Sequence, residues 1–261
     1  MMARQIAVWA AGLLLAARVV SADAPPPVAT EYMEYDISWL GVGIGTLSIH
    51  GATDENGIIT RSIRVYNRPW IAAIYPVDDT VVCVIEPSED GPRHTVTKIV
   101  NEKHFRQNDV LTLWPDTGRV TWINTLKNRQ KSITAPVGSR DLVSFFFDLR
   151  DSLAGSPMRI GGLYQLVMDG GIHELEITCG EPSLLRTPYG KIRALPVQAI
   201  SHSPVLFSRN RPRNLWLAEA VPALLMADVR TPLGIVRGTL IKWEVNGQAV
   251  SPGAKPPATE R

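Results

Sequence analysis

Nucleophilic, metal-assisted and acid–base chemistry each demand particular side chains at particular spacings, and this chain offers few of them. There are five histidines, His50, His94, His104, His173 and His202. No pair has the i, i+4 spacing of a helical zinc site, and none stands beside a cysteine. His94 and His104 could meet across a hairpin with Glu102, as a two-histidine, one-carboxylate site would require; solvated strand histidines explain them more simply. No G-x-S-x-G elbow occurs. Ser144 lies between Asp141 and Asp148 but is followed by Phe145, Phe146 and Phe147, which reads as packing rather than as a poised nucleophile. Asp78 and Asp79 are adjacent, so in a strand they point to opposite faces; they read as a turn or an edge. Gly41-Val42-Gly43-Ile44-Gly45 lacks the spacing of a dinucleotide loop and reads as a tight turn or bulge. The expectation is no catalytic residue, no metal ligand and no cofactor.

The aromatic residues carry the remaining interest. Trp70 to Tyr75 is an apolar run between Pro69 and Pro76. Leu142, Phe145, Phe146 and Leu149 recur at i, i+3, i+4 and i+7, the stripe of an amphipathic helix over 141–153, with Ser139 as N-cap and Gly155 as stop. Core packing accounts for such residues in general. The functional reading is a lumen that takes an apolar ligand, with Trp70, Tyr75, Phe145, Phe146 and Leu149 as its ligand-binding residues.

The elements that must position them read as strands. Alternation puts Leu47 with Ile49, His173 with Leu175, Ile177 and Cys179, and Ile241 with Trp243 and Val245 on single faces. Turn signals at 54–57, 88–92, 116–118 and 169–171 cut the chain into short strands. The predicted fold is all-β and mostly antiparallel, an open or closed barrel or sandwich with one covering α-helix.

The N-terminus resembles a secretory signal: Arg4, an apolar stretch over 6–17, and Val20-Ser21-Ala22 as the cleavage site. The predicted organisation is a signal peptide over 1–22, a flexible linker over 23–30, a single β-rich domain over 31–246 and a disordered tail over 247–261. Periplasmic localisation follows from the signal. The chain has 27 basic and 25 acidic residues; without Arg4 and Arg18 the basic count falls to 25, a net charge of zero. That gives no footprint for nucleic acid and no polybasic run for a membrane. No later stretch is long enough to span a bilayer. Cys83 and Cys179 leave open one long-range disulfide or two separate thiols.

Tyr35 to Val42 with Gly45-Thr46-Leu47, Trp70, Tyr75 to Asp79, the helix Asp141 to Arg150, Thr187 to Lys191, and Trp216 to Leu240 follow one another in a characteristic order. That order resembles the bacterial family called domain of unknown function 3108. The chain departs from the family pattern at Trp216-Leu217-Ala218-Glu219-Ala220, where a Trp-Leu-Ser-Asp-Asp type motif is expected. The resemblance implies an exported, mostly antiparallel β protein and no known activity. Together these readings point to a non-enzymatic envelope protein that binds a lipid or other apolar molecule. An assembly partner of envelope proteins is the alternative, and a hydrolase using Asp78, Asp79 or the histidines a lesser one.

Overall fold

A computed structural model describes residues 29–155, 161–201, 203, 206, 211–232 and 234–253. The predicted signal peptide lies outside the described residues, as does 254–261. The first half is a meander of eight strands: β1 (Ala29–Trp39), β2 (Val42–Thr53), β3 (Ile59–Asn67), β4 (Asp78–Glu86), β5 (Arg93–Glu102), β6 (Phe105–Trp114), β7 (Arg119–Asn124) and β8 (Arg129–Thr134). A short helix, α1 (Pro69–Ala72), sits between β3 and β4. Then follow β9 (Arg140–Asp141), helix α2 (Leu142–Gly155), β10 (Gly162–Met168), β11 (Gly171–Cys179), β12 (Ser183–Thr187), β13 (Gly190–Ser201), β14 (Arg211–Ala218), β15 (Leu224–Thr231), β16 (Gly234–Val245) and β17 (Gln248–Ala249). All belong to one sheet, antiparallel except where β9 meets β10.

β1 joins the two halves, pairing with β2 on one side and β16 on the other. Each strand of the meander pairs with its successor as far as β8. Going the other way, β16, β15, β14 and β13 follow, and β13 hands on to β11 and β10. The sheet curls around α2, as right-handed twist accumulated over many strands allows. Among the described residues β8 pairs only with β7, and its exposed Arg129, Gln130 and Lys131 suit an unpaired edge.

The antiparallel meander gives this half of the molecule two ends. The β1–β2, β3–β4, β5–β6 and β7–β8 connections share one, called here the near end; the β2–β3, β4–β5 and β6–β7 turns share the far end. The β1–β2 turn is tight, with positive φ at Leu40 and Gly41, so the first glycine cluster opens a hairpin.

Several expectations hold. His173, Leu175 and Ile177 share the buried face of β11, and the hairpins at 116–118 and 169–171 form. Others are corrected. Ile241 is exposed while Leu240 and Trp243 are buried. Glu34 pairs with Lys242 but Tyr35 with Leu240, so Ile241 is an extra residue in β16 and the alternation changes phase there. The chain beyond 246 does not simply trail away: Gln248–Ala249 pairs with β16, and Val250 N–H bonds to the Trp243 carbonyl. Ala29 and Thr30, assigned to a linker, open β1, where the Thr30 N–H donates to Asn246 Oδ1. His94 and His104 do not meet. His94 is paired with Leu113 deep in the sheet and His104 is at the β5–β6 turn.

Cys83 and Cys179 are both free thiols, one buried on β4 and one exposed at the end of β11. Burial pushes the Cys83 thiol up to about 12, which removes the reactive thiolate. In native protein an aromatic disulfide reagent should therefore modify Cys179 alone. Cys83 should react only in denaturant, and rapid native labelling of both would contradict this packing.

Candidate functional site

Strand alternation stacks the inward side chains of β5, β6 and β7 in three layers. His94 pairs with Leu113, and Leu113 with Val120. Next come Val96, Leu111 and Trp122, and nearest the near end Lys98, Asp109 and Asn124. The middle layer is apolar and the last is polar. The lining is completed by Ile63 and Val81 from β3 and β4, Asp141, Leu142 and Val143 at the start of α2, and Val167, Met168 and Asp169 from β10 and its turn. These walls enclose a cavity of about 280 Å³, near the lower bound of roughly 300 Å³ for small-molecule sites.

Lys98 and Asp109 of the polar layer line the cavity and, with Asn124 bonded behind Asp109, form a polar collar on its near-end side. Asp109 accepts hydrogen bonds from Trp122 Nε1 at 3.1 Å, from Asn124 and from Gln107. Lys98 Nζ is 2.9 Å from Asp169 at the β10–β11 turn. Asp169 and Gly170 both have positive φ, the demand of a two-residue hairpin turn. A Cβ on Gly170 would lie 3.0 Å from the Trp122 ring, so the turn sits directly on that indole. The Lys98–Asp169 pair thus ties the β10–β11 hairpin to the meander on the near-end side of the cavity.

Beneath the cavity floor lies a buried polar cluster of Cys83, His94, Asp141 and Ser144. Asp141, not Ser139, caps α2: its Oδ1 accepts the Ser144 N–H at 2.9 Å. Its Oδ2 is 3.0 Å from His94 Nδ1 and 3.7 Å from Cys83 Sγ. Ser144 Oγ is also 3.0 Å from His94 Nδ1. Acid and hydroxyl therefore meet the same ring nitrogen, whereas a serine–histidine–acid relay needs them on opposite nitrogens. Cys83 Sγ, His94 Nδ1 and Asp141 Oδ2 lie within 4.8 Å of one another and are the atoms that could hold a metal among the described residues. Each is already engaged with its neighbours in the cluster, which serves as the helix's buried cap.

Burial alone raises the Asp141 carboxyl, but hydrogen bonds from His94 and Ser144 outweigh it and hold the acid below its ordinary value. A depressed folded-state pKa means the stabilisation is complete above the usual carboxylate range and is lost as pH falls through the folded value.

The five sequence-derived ligand residues do not come together. Trp70 and Tyr75 are exposed on the β3–β4 connection. Phe145 and Leu149 are buried, Phe146 is half-buried, and none of the five lines the cavity. The helix is not amphipathic in the expected register. Val143, Ser144, Phe147 and Arg150 are buried with Phe145 and Leu149, while Leu142 is partly exposed, because the curled sheet surrounds α2. Asp78 is held by Arg64 at 2.8 and 2.9 Å, and Asp79 accepts the Asn101 N–H, so they form no acid pair. The collar was within reach of the sequence. Laying 94–98, 109–113 and 120–124 antiparallel puts Lys98, Asp109 and Asn124 in one row.

Residues 34–241 match the family described as "Protein of unknown function (DUF3108)". The chain belongs to this family. No curated protein matches it. It is similar to a solved structure described as a beta-barrel-like protein of domain of unknown function DUF1849 from Brucella abortus. The two share 10% identity at a TM-score of 0.58, over 84% of this chain and 99% of that one. The likeness shows the fold, and a DUF3108 member is thus beta-barrel-like.

Asp141→Asn should lower unfolding free energy by about 1–3 kcal/mol, from the weakened cap and buried hydrogen bonds. It should also flatten the loss of stability below about pH 4. Denaturant melts at several pH values check both; an unchanged acid slope would contradict the assignment.

Proposed function

We propose that this DUF3108 protein is a non-enzymatic binder or carrier of a small amphiphile outside the cytoplasm. The apolar part would occupy the cavity and the polar part would meet the collar. The observation that carries this reading is a chamber of about 280 Å³ whose walls are mainly apolar, with the charged side chains of Lys98, Asp109 and Asp169 gathered on its near-end side and Asp141 at the opposite side. Apolar walls supply affinity without direction, and a few fixed polar groups orient the guest. The leader-like N-terminus motivates the compartment. The ligand residues differ from those the aromatic stripe suggested: Val96, Leu111, Trp122 and Val167 would touch the apolar portion, and Lys98 the head.

Equilibrium titration with a fluorescent alkyl amphiphile tests the reading. Saturable binding to one site is expected, and Val96→Trp, which fills the chamber, should weaken it at least about tenfold. Overpacking costs roughly 1–3 kcal/mol of stability, so a thermal melt must accompany the titration. Equal binding by a folded Val96→Trp protein would refute the cavity as the site.

A further inference from the structure

The near and far ends of the meander differ in chemistry. The four near-end connections are 40–41, 68–77, 103–104 and 125–128, and they contain no acidic residue. The three far-end turns, 54–58, 87–92 and 115–118, contain Asp54, Glu55, Glu89, Asp90 and Asp116 and no lysine or arginine. Apolar exposure follows the same division. Leu40, Trp70, Ile74, Tyr75, Phe105 and Leu126 lie at the near end, each between 43% and 81% exposed. The three far-end turns contain no large exposed apolar side chain, and the 135–139 segment beside them contains one, Val137. Single exposed apolar residues are ordinary; convergence of four separate connections on one apolar end is not.

Cations stand among these residues. Lys103 Nζ donates to the Ile74 carbonyl, and Arg106 to the carbonyls of Glu102 and Phe105. Lys103, Arg106, Lys127 and Arg129 pair with no carboxylate among the described residues. Of the nearby acids, Asp36 pairs with Arg68, Asp78 with Arg64 and Asp169 with Lys98, while Glu102 and Asp79 accept hydrogen bonds from the Tyr75 hydroxyl and the Asn101 N–H. Indole and phenol rings favour the boundary between headgroup and hydrocarbon, and lysine and arginine favour anionic headgroups. We infer that the near end docks on the surface of an anionic lipid bilayer, with Trp70, Ile74 and Leu40 entering the interface and the four cations on the headgroups. The cavity's collar faces this same end, but the inference holds whether or not the cavity takes a ligand.

The protein, purified from its own cells, is floated at low salt with vesicles of phosphatidylcholine, alone or mixed with phosphatidylglycerol. It should float with the mixed vesicles and much less with the neutral ones. Lys103→Glu with Lys127→Glu should lower partitioning by roughly fivefold per charge, and added salt should act in the same direction. Lipids brominated in the acyl chain should quench a part of the tryptophan emission that Trp70→Phe lacks. The far-end change Glu89→Gln should alter none of this. All these side chains sit on surface turns, and near-UV circular dichroism confirms that each variant is folded. Partitioning equal across vesicle types and near-end variants would overturn the inference. So would a photo-cross-linker at position 70 that captures one protein while vesicle binding is indifferent to the near-end changes. Amphiphile titration of the same variants should remain as in wild type, which separates this result from failure of the cavity reading.

Discussion

Helix α2 takes ionisable groups into an apolar interior, and the rest of the fold depends on their being paired there. At its start, Asp141 is satisfied by His94 of β5 and by the helix's own Ser144. Further along, Arg150 reaches Glu31 of β1 at 2.7 Å and Asp151 at 2.9 Å, and lies against the Phe147 ring. Glu31 is held in turn by Trp243 Nε1 from β16. Removing one member of the buried Arg150–Glu31 pair costs about 3–5 kcal/mol, because the other charge is left unpaired. The two anchors fix the helix to β5 and to β1, the strand that joins the two halves of the sheet. Phe145, Phe147 and Leu149 then supply burial, of order 1.5–3 kcal/mol each.

That placement creates the cavity. Pinned at Asp141, the first turn of α2 presents Leu142 and Val143 to the inner faces of β3 to β7 without filling the space to Val96, Leu111 and Trp122. The β10–β11 hairpin closes the other side, seated on Trp122 through Gly170 and tied by Lys98–Asp169. A partly exposed ion pair contributes only about 0–1 kcal/mol. The turn of this hairpin stands at the end of the molecule where the apolar and basic connections converge.

Much of the architecture was legible because strand alternation is local. The buried face of β11 and the turns at 116–118 and 169–171 follow from residue types alone. Ile241 shows the limit: a bulge shifts the phase of two, and nothing in Leu240-Ile241-Lys242-Trp243 marks it. The helix was found, but its buried faces were not. An aromatic stripe says that one side is covered, and only the curl of the sheet covers the others. His94 and Asp141 are joined by register across the fold, so no spacing could link them. Likewise Lys103 and Lys127 form no run in the sequence, yet antiparallel pairing sets their turns at one end. The family likeness supplied the fold and left the site to the geometry.

Methyl-resolved nuclear magnetic resonance during addition of a short-chain alkyl phosphocholine below its micelle concentration tests the central claim most directly. The account predicts that the methyl signals of Ile63, Val81, Val96, Leu111, Val143 and Val167 shift together along one saturable curve, while those of Leu217 and Leu225 in the opposite half of the core stay in place. Shifts confined to surface residues such as Leu40 and Ile74, with the cavity methyl groups unmoved, would contradict it.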